Sequence, residues 1–163
     1  MEKSLLQSTR MLPCSVVLLT AGTKETKDAM TATAMFVAEK LPLITISLSK
    51  KSACHAIIEK AGECALNVAS VDQVDLAKKL GAPRTRDKDV FRAFGIKTEK
   101  ASKISAPLIA GSYANLECVV LTSYPASNYM VYLVEVVAFR ANEKLVPLAW
   151  LKDRYFSLDR EAR

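Results

Sequence analysis

One histidine, His55, serves all 163 residues of this chain. With no second imidazole, a His-rich metal centre is excluded, and a Ser-His-Asp or Cys-His device has a single candidate base with no nucleophile placed beside it. Cys14, Cys54, Cys64 and Cys118 are scattered and form no CxxC pair, so no zinc or other metal site is expected. HExxH, GxGxxG and GxxxxGK[ST] are all missing, which removes the zincin motif and two common nucleotide-binding loops. No apolar run approaches the roughly 20 residues that cross a bilayer. The opening Met1-Glu2-Lys3-Ser4-Leu5-Leu6-Gln7 has no basic start followed by a long apolar block, so no secretory signal is expected. Free, buried thiols in a reducing cytoplasm fit that picture. Aromatics are scarce at 7% although half the residues are hydrophobic, so Val, Leu, Ile and Ala must build the core.

The length suits one domain with a real core. The net charge of +6 is concentrated: residues 78–103 hold nine Lys or Arg against Asp87, Asp89 and Glu99, leaving the rest of the chain neutral. Such a stretch is a solvated surface, a basic flap over an anionic small molecule, or a nucleic-acid contact. It has no aromatic pattern of an RNA-binding sheet and no helix-turn-helix, so no nucleic-acid partner is expected.

Most of the chain reads as strands: Pro13–Ala21, Ala29–Ala38, Leu43–Ser49, Glu63–Ala69, Tyr113–Tyr124, Tyr129–Arg140 and Leu145–Leu151. Pro125-Ala126-Ser127-Asn128 links the two longest. Helices are fewer. Cys54, Ile57, Ile58 and Ala61 fall at helical spacing, with Ser52 as N-cap and Gly62 just past the end. Ser70 and Gln73 make a capping-box pattern ahead of a helix through Leu80, and Asp89–Phe94 suggests one more helical turn. Strands that do not alternate regularly with helices argue for a barrel-like β core with peripheral helices, not a doubly wound sheet.

The sharpest local signal lies where Leu43–Ser49 ends. Lys50, Lys51 and Ser52 occupy a strand-to-helix turn, with Ser47 and Ser49 just before it. Unpaired N–H groups and the positive end of the helix dipole suit that place to a phosphate. The alternative is an ordinary solvated turn. His55, one residue past the first turn, is either a neighbour of that anion or a packing residue. Asn67, in an otherwise apolar strand, needs hydrogen-bond partners if buried.

Several pieces in this order resemble the flavin reductase-like, FMN-binding split-barrel family, which includes flavin reductases, flavoredoxins and ferric reductase-like flavoproteins. They are Asp28-Ala29-Met30-Thr31-Ala32-Thr33-Ala34, Pro42–Leu48, Lys50-Lys51-Ser52 with His55, Cys64–Val68, Asp75–Lys79, Leu116-Glu117-Cys118, Val134–Val137 and Arg154-Tyr155. The resemblance covers residues 10–156 and implies a six-stranded antiparallel split barrel over 1–163, with 78–103 as a basic lid-like insertion. It further implies a homodimer holding FMN without a covalent bond. On that pattern Met30, Thr31, Ala32 and Thr33 lie along the isoalloxazine, offering backbone N–H groups and a hydroxyl. Ser47, Leu48, Ser49, Lys50, Lys51 and Ser52 hold the ribityl chain and phosphate, with His55 beside the phosphate or ring edge. Asn67 is then a neighbour of the flavin, or else a structural bond to a nearby loop.

Two departures stand out. Cys54 replaces the Thr that often follows the Ser of the phosphate turn. The Gly-Asp-His segment found in many members corresponds here to Ser127, Asn128 and Tyr129, so a tyrosine stands where a histidine meets the nicotinamide. The expected activity is reduction of a flavin or small acceptor by NADH or NADPH, with Tyr129 at the donor site and no catalytic side chain beyond it. The alternatives are a ferric or quinone-type reductase, a protein-fed electron carrier, a flavin-binding protein without turnover and, from residues 78–103, a basic nucleic-acid-binding barrel; a monooxygenase or electron-transfer partner is left open.

Overall fold

Val16-Val17-Leu18-Leu19 belongs to the most deeply buried stretch of the molecule because both of its faces are covered. The structure, a computed structural model, describes Leu5 and residues 7–83 and 89–161. Strand β2 (Val17–Gly22) is buried throughout. Val17, Leu19 and Ala21 point into the barrel, while Val16 and Leu18 point out beneath helices. A strand covered on both sides reads as a continuous apolar run, and this one does.

Strands β1 (Cys14–Ser15), β3 (Lys27–Ala32), β4 (Ala34–Phe36), β5 (Leu43–Ser49), β6 (Glu63–Val68), β7 (Thr98–Glu99), β8 (Leu108–Ile109), β9 (Ala114–Ala126) and β10 (Tyr129–Ala141) follow in order. The hairpin β11 (Leu148–Leu151) and β12 (Arg154–Ser157) ends the series. The main sheet runs β3-β2-β6-β9-β10-β5-β4, antiparallel at every step. Its two outermost members, β3 and β4, are one stretch of chain divided at Thr33. The first half pairs with β2, Val17 opposite Ala32, and the second with β5, Ala34 opposite Ile46. Counting that stretch once gives six strands curled into a split half-barrel, the architecture expected from the sequence. Register shifts in β10, between Leu133 and Val134 and between Val136 and Ala138, add the twist that curling needs.

Helix α1 (Ala53–Ala61) stops the barrel's end with Cys54, Ile57 and Ile58. Helix α2 (Val74–Gly81) and the short α3 (Val90–Ala93) cover the outer face of β2 and β3 through Ala77, Leu80, Val90 and Phe91. The described residues of the 78–103 stretch play several parts. Val90 and Phe91 are core residues, Ala101 is buried, and Ser102 and Lys103 are tied to Glu117. Arg84 and Arg86 lie outside the described residues. One hairpin went unforeseen: β11 and β12 turn through Lys152 and Asp153, both at positive φ (51° and 62°). That pair of angles marks a type I′ turn, usually signalled by Asn-Gly. Here Arg10 anchors it, with its guanidinium 2.7 Å from the Asp153 carboxylate and its carbonyl accepting from Lys152 N at 3.2 Å.

Candidate functional site

The turn after β5 is built as its residue types demand. Ser52, in extended conformation, accepts from His55 N at 3.1 Å and so caps α1, and Gly62 closes the helix in the left-handed region at φ 68°. Ser52 N donates to Ser49 O at 2.9 Å, and Lys51 N to Ser49 Oγ at 3.3 Å. The N-terminus of a nine-residue helix is thereby held open beside a cleft of about 530 Å³. Lys51, Ser52 and Ala53 line it together with Met30, Thr31 and Tyr129. An ammonium, a hydroxyl and a helix N-terminus form a donor set for a phosphate group.

A second chamber of about 380 Å³ continues from the first, with Met30, Thr31, Ser49 and Tyr129 common to both. Ala32, Thr33 and Ser47 extend its wall. Thr33 belongs to neither the β2–β3 ladder nor the β4–β5 ladder. The hydroxyl of Thr31, in contrast, donates to Ala77 O at 2.6 Å and fastens β3 to α2. The strand's small side chains bring backbone close to the chamber, and the side-chain hydroxyl available from it is that of Thr33.

Four expected site residues turn elsewhere. Leu48 is fully buried in the barrel core. Lys50 staples the β9–β10 turn, its Nζ donating to Ser127 O at 2.8 Å and its N to Asn128 O at 3.0 Å. His55 is half-buried against Tyr132, whose hydroxyl donates to Glu59 Oε1 at 2.7 Å and accepts from His55 Nδ1. Burial and the neighbouring Glu59 carboxylate push the Tyr132 phenol well above its ordinary value, so Tyr132 keeps its proton and acts as the donor to Glu59. Asn67 is buried and fully partnered: Nδ2 donates to Leu18 O at 2.7 Å, and Oδ1 accepts from Ile109 N at 2.9 Å and Asn115 Nδ2 at 2.7 Å. Of the two readings of Asn67, the structural bond is the one this geometry has, and its partners are residues of neighbouring strands, not of a loop. Cys54, too, faces inward, 3.6 Å from the Asp28 carboxylate.

Sequence reasoning missed Asp28 and Leu80-Gly81-Ala82-Pro83 on the first chamber, and Trp150 and Tyr155 on the second. Among the described residues, Leu80 to Pro83 are the part of the basic stretch that lines the cleft. No local motif marks them, because α2 and the terminal hairpin reach the site through tertiary packing.

Comparison with known proteins agrees with the architecture. Residues 9–159 match the family model described as "Flavin reductase like domain". An actinorhodin polyketide dimerase of Streptomyces coelicolor is 28% identical over 149 residues, 90% of this chain and 81% of that protein. An NADH-dependent FAD reductase of Streptomyces globisporus is 26% identical over 125 residues, 77% of this chain and 68% of that protein. Among solved structures, an NADH:FAD oxidoreductase of Streptomyces globisporus superposes with a TM-score of 0.86 at 23% identity, covering 99% of this chain and 94% of its own. The flavoredoxin of Desulfovibrio vulgaris gives 0.83 at 16% identity, covering 93% and 90%.

Proposed function

The chain belongs to the family of flavin reductase-like domains, and from that premise we propose that it is an FMN-binding oxidoreductase, reducing flavin or another small acceptor with NADH or NADPH. The observation that carries this reading is the single cleft that joins the α1 N-terminal turn to the exposed backbone of residues 30–33. When bound, the flavin supplies hydride and electron transfer, which explains a site without a paired-carboxylate or histidine device. The chain's own residues bind and orient. Lys51, Ser52 and the first turn of α1 take the phosphate. Thr33 presents backbone and hydroxyl to the polar edge of the ring system. Asp28 lines the same chamber as Ser52 and offers an acceptor suited to ribityl hydroxyls. Tyr129, 52% exposed on the rim of both chambers, is placed to stack on or donate to a donor's ring but carries no cationic role.

A homodimer fits the same reading. Met35, Phe36, Val37 and Leu41 are exposed beside β4, as are Leu121, Val137 and Phe139 on β9 and β10. Large exposed apolar side chains of this kind are what contact with a second copy would cover. Titration of the apo protein tests the cofactor assignment. FMN is expected to bind with one molecule per chain and at least about tenfold tighter than riboflavin, because only FMN engages the charge-assisted contacts at Lys51 and Ser52. Equal affinities would rule out the phosphate site.

A further inference from the structure

His55 is the only imidazole of the chain and lines neither chamber of the cleft, yet its backbone belongs to the phosphate turn. It is the third residue of α1, and its N–H is the one that the Ser52 hydroxyl accepts. The side chain is 15% exposed and held by residues of two elements. Tyr132, on β10 and buried, sets its hydroxyl against Nδ1, the two ring centroids lying 6.1 Å apart. The same hydroxyl donates to Glu59 Oε1 at 2.7 Å, one turn further along α1. A hydroxyl has a single hydrogen to give. With that hydrogen committed to Glu59, Tyr132 meets His55 through its oxygen, so Nδ1 must bear a hydrogen. Neutral His55 is thereby fixed as the Nδ1–H tautomer with Nε2 bare.

This tautomer has a consequence for charge. A further proton can enter only at Nε2, and neither existing hydrogen bond breaks when it does. The imidazolium then stands in the first turn of α1 with its Nδ1 4.0 Å from the Glu59 carboxylate. A cation at that end opposes the helix dipole and is favoured only by anions close by. Glu59, half exposed, is one; a phosphate at the turn is the second. The other charged or titratable groups around α1 are Cys54 and Lys60 on the helix, Lys50 and Lys51 in the turn, Asp28 on β3, and Glu63 and Cys64 on β6. Burial keeps the Cys64 thiol protonated, and β2 and β5 present no titratable side chain. Between about pH 6 and 8 the groups poised to change charge at the turn are therefore His55 and the phosphate itself.

We propose that Tyr132 and Glu59 are positioning residues that make His55 a proton-dependent charge behind the phosphate turn, so that the site holds a flavin phosphate more tightly as pH falls through the imidazole range. The proposal rests on the flavin reading only for what carries the phosphate. By linkage, proton and phosphate each strengthen the binding of the other.

With one histidine in the chain, nitrogen-15 NMR reads its tautomer without ambiguity. The native protein at about pH 8.5 should show a hydrogen on Nδ1 and none on Nε2, and the opposite tautomer overturns the proposal. Tyr132→Phe should release that preference, whereas its persistence would remove Tyr132 from the device. FMN affinity is then compared between the native chain and His55→Asn, whose amide can still donate to Tyr132 but takes up no proton. The two should agree within about twofold at about pH 8.5, and the native chain should bind at least about threefold tighter at about pH 6. Taking the ratio at each pH cancels the titration of the phosphate itself. Riboflavin, which has no phosphate, should show no such rise. A ratio for FMN that ignores pH, or an equal rise for riboflavin, overturns the proposal. Glu59→Gln, at an exposed position, should move the rise to lower pH, and an unmoved rise would refute its positioning role. If FMN binds at neither pH the flavin reading falls, and inorganic phosphate takes its place in the same comparison. A native advantage confined to the lower pH then upholds the device, and no advantage overturns it.

Discussion

Asn67 shows how a polar residue in a buried strand is read correctly as constrained without revealing by what. Asn67 satisfies Leu18, Ile109 and Asn115 at once and so locks β2, β6, β8 and β9 together. The demand for partners was legible in the sequence, whereas their identity was not, because Ile109 and Asn115 arrive from more than 40 residues away. Glu117, on β9, accepts from Ser102 N and Lys103 N at 2.9 and 2.6 Å and from the Ser102 hydroxyl at 3.0 Å. Burial alone would raise its carboxyl, but these bonds together outweigh it and hold the group below the ordinary carboxylate range. A pKa lowered in the folded state stabilises the fold above the unfolded value and ceases to do so as pH falls through the folded one. The stability of the native chain should therefore decline as pH drops from about 4.3, the usual glutamate value, towards the lower folded value. Glu117→Gln should be less stable at neutral pH and lose part of that acid dependence, as denaturant melts at several pH values will read. Identical acid slopes for the two proteins would count against the assignment.

Helix α1 is the element whose sequence signals were most complete. Its cap, apolar face and terminal glycine all sit within about ten residues, so local chemistry sufficed to predict it, and the cleft forms at its N-terminus. The β11–β12 hairpin is the opposite case. Its turn residues, Lys152 and Asp153, are not the Asn-Gly pair that usually announces such a turn, and the contacts that hold them come from Arg10, 143 residues from Asp153. Trp150 and Tyr155 stayed illegible as site residues for the same reason. Ser52 carries two tasks, and one substitution separates them from simple packing. Ser52→Ala should cost about 1 kcal/mol of stability, the usual loss of an N-cap hydroxyl. The same change should weaken FMN several-fold more than riboflavin if the hydroxyl also meets the phosphate. Equal weakening of both ligands would confine Ser52 to its capping role.

For the whole molecule, the main strands of the sheet were within reach of pattern reading, because β2, β5, β6, β9 and β10 each carry a strong apolar signature, whereas the six-stranded antiparallel order was implied by the family resemblance alone. The closure was not legible, since nothing near Thr33 announces that one strand serves two partners. Assembly is equally a matter of surface, and its test lies there. Phe36→Asp and Phe139→Asp place charges on residues exposed by 64% and 73%. If the apolar surface is the contact between two copies, light scattering of the double variant should give a monomer mass, and its FMN affinity should fall with it. A native chain that is monomeric at micromolar concentration while saturated with FMN would refute the dimer.

The division of one strand at Thr33 has a mechanical meaning. A sheet whose first and last strands are the same piece of chain is a hoop, with a strong seam and a weak one. The strong seam joins β3 to β2 through six paired residues; the weak one joins β4 to β5 through three, beside the exposed Met35 and Phe36. Local opening follows the seam with the least buried and least bonded backbone. A molecule laid from Thr33 across to Ser47 bridges that seam and acts as the hoop's clasp. Holding the ligand and keeping the hoop shut then become a single event.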